Sequence, residues 1–503
     1  MKEFRIINVN IVTHREVFEG SVRVKNGKIV EVKREKIKVL SATPDSVDSS
    51  GEMSAGTDTA TSTEGEEKII DLHGQYLLPG LVDAHVHFRT PGMTQKEDWT
   101  TGSKAALAGG VTTVLDMPNT VPSTTTVDVL EQKRKIIAPD AMVNYGFYMG
   151  ATEDNFEEIV KAKNVAGVKV YLGSSTGNLL MKNEKVLEKL MAESGKLLAI
   201  HAESEACINN SIRNYKLEIK NDGDAFGMKN EGRADSSIPS ASVPESFSVE
   251  VDPSIHSRIR APECASEAVE SVLRLAEKHP EARVHFCHVT TAKELKLIKE
   301  FRIKNEELRM MEPLRVTLEV TPHHLFLSDE DYETYGNLVK VNPPLRSAKD
   351  QAALWKGLQD GTVDIVATDH APHLIEEKNL PYDQVPSGVP GVQTMLPLLL
   401  HAVNDGELSL SRVVELTSWN PARIFGMVGK GAIEEGFDAD LVVVDLSKVE
   451  RLCHHYLWTK GDWSPFHGWY LKGWPIMTFV GGELMYEWRD KFGDAKGMEV
   501  RFS

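Results

Sequence analysis

From residue 79 onward the chain alternates short apolar runs with stretches of helical period. The runs lie at 81–88, 112–116, 143–148, 167–171, 197–201, 284–288, 316–320 and 364–368, and are rich in Val, Ile, Leu and Tyr. Helix-like segments fall between them, among them 99–108, 157–162 and 183–194. Strands that are apolar on both faces and alternate with helices predict a parallel sheet covered by helices. Eight such units predict an α/β fold of the (β/α)8 TIM-like barrel type. A doubly wound sheet is disfavoured, because no Gly-x-Gly-x-x-Gly follows the first strand and no P-loop is present.

The pattern differs at both ends. Residues 4–37 read as short strands, with Asn26-Gly27 as a hairpin turn. Strand patterns return at 439–445, 474–480 and 483–486. Neither set has enough strands for its own core, so the two are expected to combine into one small β-sandwich domain built from both termini. The expected organisation is 1–78 and 428–503 for that domain and 79–427 for the barrel. Two insertions interrupt it. Residues 41–67 are Ser, Thr, Gly, Asp and Glu with almost no large apolar side chain, and are expected to be a disordered insertion. Residues 208–260 form an insertion with little periodicity after the fifth strand, which reads equally as a tolerated insertion or as a lid, a wall or a subunit contact.

Composition narrows the function classes. The chain has 503 residues and a formal net charge of -17, which opposes binding to nucleic acid or to an anionic membrane. An anionic substrate would need local cations. Four widely spaced cysteines (Cys207, Cys264, Cys287, Cys453) give no Cys-x-x-Cys pair, which suits a reducing compartment without disulfides. No apolar run reaches membrane-spanning length, and a cytoplasmic protein is expected.

Polar residues recur at the expected strand ends, where barrels place their chemistry. Strand one carries His85 and His87, one residue apart and therefore on one face, with Arg89 in register beyond them. Strand four carries Lys169, strand five His201, strand six His288 and strand eight Asp369. Several histidines with a carboxylate suit Zn²⁺ or a similar divalent ion. Lys169 interrupts an apolar strand. The plainer expectation is a lysine paired with a carboxylate; as a metal ligand it would first have to become an anion, such as a carbamate. Cys287 is expected to be a buried thiol facing away from His288. Glu203 either orients His201 or is solvated, and His323-His324 are expected to be structural or to support the ligands. The aromatic residues Trp458, Trp463, Phe466, Trp469, Tyr470 and Trp474 are expected to pack within the terminal β unit.

The motifs Asp83-Ala84-His85-Val86-His87-Phe88-Arg89, Asp116-Met117-Pro118-Asn119-Thr120, Gly167-Val168-Lys169-Val170-Tyr171 and His201-Ala202-Glu203 form a recognisable series. It continues with Cys287-His288-Val289-Thr290-Thr291, Asn342-Pro343-Pro344-Leu345-Arg346 and Thr368-Asp369-His370-Ala371-Pro372-His373. Together they resemble the amidohydrolase superfamily and, within it, the dihydroorotase family. The resemblance implies two divalent metal ions, most often Zn, with His85 and His87 on one and His201 and His288 on the other. Carbamylated Lys169 would bridge them, and Asp369 would be both ligand and general acid/base. Arg89, Asn119 and His373 would hold a substrate carboxylate, Asn342 would contact the ring, and Ser387 and Gly388 would complete the pocket. The implied reaction is reversible closure of N-carbamoyl-L-aspartate to L-dihydroorotate by a metal-bridged hydroxide, in pyrimidine biosynthesis. The implied partners are a small-molecule substrate, with a homo-oligomer or association with aspartate carbamoyltransferase left open. The rivals are an allantoinase or hydantoinase type of cyclic amidohydrolase and a non-catalytic scaffold.

Overall fold

The computed structural model describes residues 3–36, 68–174, 179–225, 252–306, 315–489 and 491–503. The expected disordered insertion at 41–67 and the middle of the 208–260 insertion lie outside the described residues. Eight parallel strands run in chain order around a barrel: Leu81–Val86, Val111–Asp116, Asn144–Gly150, Gly167–Tyr171, Leu197–His201, Arg283–Phe286, Val316–Val320 and Ile365–Val366. The ring closes where His87 N donates to His370 O at 2.8 Å, beside a parallel bridge between Val86 and His370. Nearly every residue of these strands is buried, as expected when helices cover one face of a strand and packed side chains fill the other.

The helices follow local rules. Helix Trp99–Ala108 starts at Asp98, whose side chain accepts from Thr101 N, and ends at Gly109. Helix Pro262–Lys278 has proline in its first turn and buries Cys264, Ala265, Ala268, Val269, Val272, Leu275 and Ala276 against the barrel. That spacing gives one apolar stripe at a period near 3.6.

Both chain ends meet in a second, mostly antiparallel sheet of nine strands. At its centre Tyr76–Pro79 pairs with Glu3–Val12 on one side and with Leu441–Arg451 on the other. Phe4, Ile6, Leu77, Leu441, Val443 and Phe479 share its core, with Phe4 stacked on Phe479 at 5.6 Å. The expectation that terminal strands too few to stand alone would combine is met. The segment between Arg451 and Tyr470 departs from expectation. Trp463 and Phe466 pack with Leu327, Tyr332, Val389 and Leu398 of the barrel rather than only within the terminal sheet. No helix among the described residues is long and apolar enough to cross a membrane.

Cys207 and Cys264 form a disulfide, which corrects the expectation of four unpaired thiols. Their 57-residue separation carries no pairing signal in sequence, but the helices that bear them, Glu205–Ala225 and Pro262–Lys278, bring their Cα atoms to 5.2 Å. Cys287 and Cys453 remain free.

Candidate metal centre and substrate pocket

The strand ends bring His85, His87, His201, His288 and Asp369 close together. Asp369 Oδ1 lies 3.0 Å from His87 Nε2 and 3.3 Å from His85 Nε2. Across the site His201 Nδ1 faces His288 Nε2 at 3.0 Å. Ligand atoms of His85, His288 and Asp369 all fall within 4.8 Å of one another. Arg89, His288 and Asp369 have φ of 60°, 33° and 46°, so each leaves its strand through the left-handed region. Such conformations cost energy and concentrate at functional sites, where they turn side chains inward.

The nitrogens that face away from the centre are each held, save one. His85 Nδ1 contacts Glu319 Oε1 at 2.5 Å, and Glu319 Oε2 reaches His285 Nε2 at 3.0 Å. His87 Nδ1 contacts Asn119 Oδ1 at 2.7 Å. His201 Nε2 contacts Glu203 Oε2 at 2.9 Å, and Glu203 is paired with Arg260. Glu203 is therefore buried and orienting, not solvated. His288 Nδ1 is buried without a hydrogen-bond partner. An acceptor fixing one imidazole nitrogen leaves the other as a lone pair aimed inward, the usual support for metal-ligating histidines.

Electrostatics agree with a site built for cations. Burial and Lys169 lower the His85 pKa, but Glu319 and Asp369 outweigh them and take it up to about 10. Burial raises Asp369, yet the surrounding histidines hold its carboxyl well below the ordinary range. Burial likewise opposes ionisation of Glu203 and Glu319, and Arg260 with His201, or His85 with His285, keep them below the ordinary range. Burial takes His87 down to about 4 against the pull of Asp369.

Lys169 is fully buried, and among the described residues no carboxylate pairs with it. Its Nζ donates to Cys287 Sγ at 2.9 Å and sits 5.2 Å from the Tyr171 ring centre. Cys287 thus points into the site, also approaching His85 and Glu319, which corrects the expectation that it faces away. Strand six ends at Phe286, so alternation no longer governs residues 287 and 288. A buried lysine without a counter-ion is costly as an ammonium. The donor set of four imidazoles, Asp369 and Lys169 fits divalent cations.

Beside this centre, Arg89 is buried, donates from Nε to Pro372 O at 3.3 Å, and places Nη2 3.3 Å from His373 Nε2. His373 Nε2 also lies 3.1 Å from Ser387 O. Gly388 has φ +139°, and a Cβ there would come within 2.5 Å of Ala371 O, so glycine lets this loop close on His373. Asn342 Oδ1 contacts His256 Nε2 at 2.9 Å. The structure therefore gathers Arg89, His373, Ser387 and Gly388 directly, with Asn119 joined through His87, while the Asn342 side chain is held by His256. His324 is structural, bonded to Thr321 and to Pro343 O.

Sequence reasoning missed Glu319, Arg260, His256 and Lys96. Glu319 carried a signal, since it breaks an apolar strand as Lys169 does. Arg260 and His256 belong to the returning leg of the 208–260 insertion, where no periodicity marks a position.

The Amidohydrolase family matches residues 76–485. The chain is 37% identical to the dihydroorotase of Methanosarcina acetivorans over 93% of this chain and 89% of that protein. It is 35% identical to that of Methanosarcina mazei over 100% and 98%, and 31% identical to that of Pyrococcus furiosus over 97% and 93%. Among solved structures, L-hydantoinase (dihydropyrimidinase) from Arthrobacter aurescens superposes with a TM-score of 0.82 at 26% identity, covering 100% of both chains. Dihydropyrimidinase from Brevibacillus agri gives 0.79 at 25% identity, covering 99% of both chains. With the motif series, the strand-end constellation and full-length relatives in agreement, this chain belongs to the amidohydrolase family and, within it, to the dihydroorotases.

Proposed function

We propose that the chain interconverts N-carbamoyl-L-aspartate and L-dihydroorotate. The observation that carries this reading is the placement of a donor pair, Arg89 and His373, beside the histidine and Asp369 cluster. A carboxylate-bearing ring amide fits both: its carboxylate meets the buried guanidinium, and its amide lies over the cluster. Arg89 supplies a local cation within an acidic chain, in a planar fork that can bind a carboxylate bidentately.

His85, His87, His201, His288 and Asp369 would hold two divalent cations, zinc by the chemistry of the donors, with Lys169 joining them as a carbamate. When bound, such cations bring the pKa of a ligating water toward neutrality and polarise a carbonyl oxygen. Asp369 is held ionised, so it can take a proton from the attacking water and deliver it to the departing ring nitrogen. Asn119 and Glu319 keep His87 and His85 aimed inward through the cycle. Burial of the four histidines and Lys169 limits the access of bulk water and strengthens each of these interactions.

The rival reading is a hydantoinase type, favoured by the structural neighbours. A spectroscopic assay of dihydroorotate hydrolysis, with metal analysis of the same sample, separates the two. Turnover of hydantoin or allantoin with none of dihydroorotate would overturn the proposal. Lys169→Ala is expected to lose metal and activity together, with partial rescue by short carboxylic acids. Full metal occupancy in that variant would remove Lys169 from the ligand set.

A further inference from the structure

Lys96 lies on the turn between the first barrel strand and helix Trp99–Ala108, with only 15% of its side chain exposed. Its Nζ is 2.9 Å from Glu377 Oε1 and 3.0 Å from His373 Nδ1. An ammonium carries three hydrogens and no lone pair, so Nδ1 must be the acceptor in this contact. Burial, with Arg89, Lys96 and Lys378 around it, keeps His373 neutral. A neutral imidazole that accepts at Nδ1 carries its proton on Nε2. That Nε2–H can donate to Ser387 O at 3.1 Å. Arg89 Nη2, also a donor only, is 3.3 Å from the same nitrogen and cannot donate to it. Ser387 O takes the Nε2–H, so Arg89 Nη2 faces a nitrogen that cannot accept and its N–H needs an acceptor from elsewhere, such as a carboxylate.

The alternative tautomer is close at hand. Glu377 Oε2 lies 3.6 Å from His373 Nδ1 and would draw a proton there if Lys96 were absent. Nε2 would then accept from Arg89, and the slot would close on itself. We propose that Lys96 is a positioning residue that fixes the His373 tautomer and so keeps the Arg89–His373 slot selective for a ring amide bearing a carboxylate. This rests on the function proposed above and names a determinant of its substrate preference.

The test uses full-length, metal-loaded protein labelled with ¹⁵N-histidine, the His373 signals being assigned by their loss in His373→Asn. The wild type is expected to show an unprotonated Nδ1 and a protonated Nε2 at His373. Lys96→Met should shift that population toward protonated Nδ1. It should also raise KM for dihydroorotate about tenfold or more, with a smaller change in kcat. Lys96→Arg, equally without a lone pair, should keep the wild-type tautomer and restore most of the affinity. A protonated Nδ1 in the wild type overturns the proposal by itself, even if Lys96→Met does not fold. So does a folded Lys96→Met with unchanged KM. Wild-type protein that fails to hydrolyse dihydroorotate would instead strike the proposed function and leave the tautomer measurement standing.

Discussion

Glu319 serves two histidines at once, fixing His85 through one oxygen and His285 through the other. Replacing it by Gln keeps the shape but removes the charge and one acceptor, so His85 loses its firm orientation. Glu319→Gln is expected to weaken metal binding about 10–100-fold, a typical cost of removing an orienting partner. Competition against a chelator measures this, and an unchanged affinity would show that His85 is held by other contacts. The residues that could be read from sequence share one property: each interrupts or ends an apolar run that the barrel must bury. His85, His87, Lys169, His201 and Asp369 stand out this way, and Glu319 would have by the same criterion. Lys96 and Arg260 come from irregular segments and His256 from a five-residue helix, Ile255–Ile259, too short to carry an apolar pattern for a polar residue to break. Cys287 was misread for a related reason, because period-two alternation was carried past the last paired residue of its strand.

Among the elements, the returning leg of the 208–260 insertion has the largest influence on the site. Within it His256 bonds Tyr382, Val341 O and Asn342, and Arg260 clamps Glu203 behind His201. Ser257 donates to Leu345 O at 2.7 Å. Its position is tied at the start and end by the Cys207–Cys264 disulfide and by Ser204 N donating to Cys264 O at 2.8 Å. Closing a loop of 57 residues removes unfolded-state entropy worth about 4 kcal/mol in the chain-entropy view. Cys207→Ser is therefore expected to lower the denaturation midpoint substantially, and reducing agent should lower the wild type but not the variant. Equal midpoints in all conditions would mean that the bridge contributes nothing in solution. The strand and helix pattern revealed that an insertion was present. Its engagement with the site was not legible, because contacts between irregular segments depend on the fold around them.

For the molecule as a whole, the two-ended sheet matters most. Tyr76–Pro79 runs directly into the first barrel strand at Leu81, and its antiparallel partner Leu441–Arg451 follows the last barrel helix. The sheet thus joins the two ends of the barrel sequence. The eightfold alternation made the barrel legible, and the paucity of strands at each end made their union legible. The strand order could not be read, since pairing across several hundred residues leaves no local mark. A chain ending at residue 436 should leave Tyr76–Pro79 as an exposed, apolar sheet edge and accumulate as aggregate. Supplying residues 437–503 as a separate polypeptide should recover soluble, assembled protein; a soluble, folded truncation without it would refute the dependence. The same arrangement sets a timetable for synthesis. At typical translation speeds the middle strand of the sheet leaves the ribosome tens of seconds before its partner exists. Through that interval its edge is open to any other extended chain, so the demand for chaperone protection falls at the beginning of the polypeptide and ends only when its tail emerges.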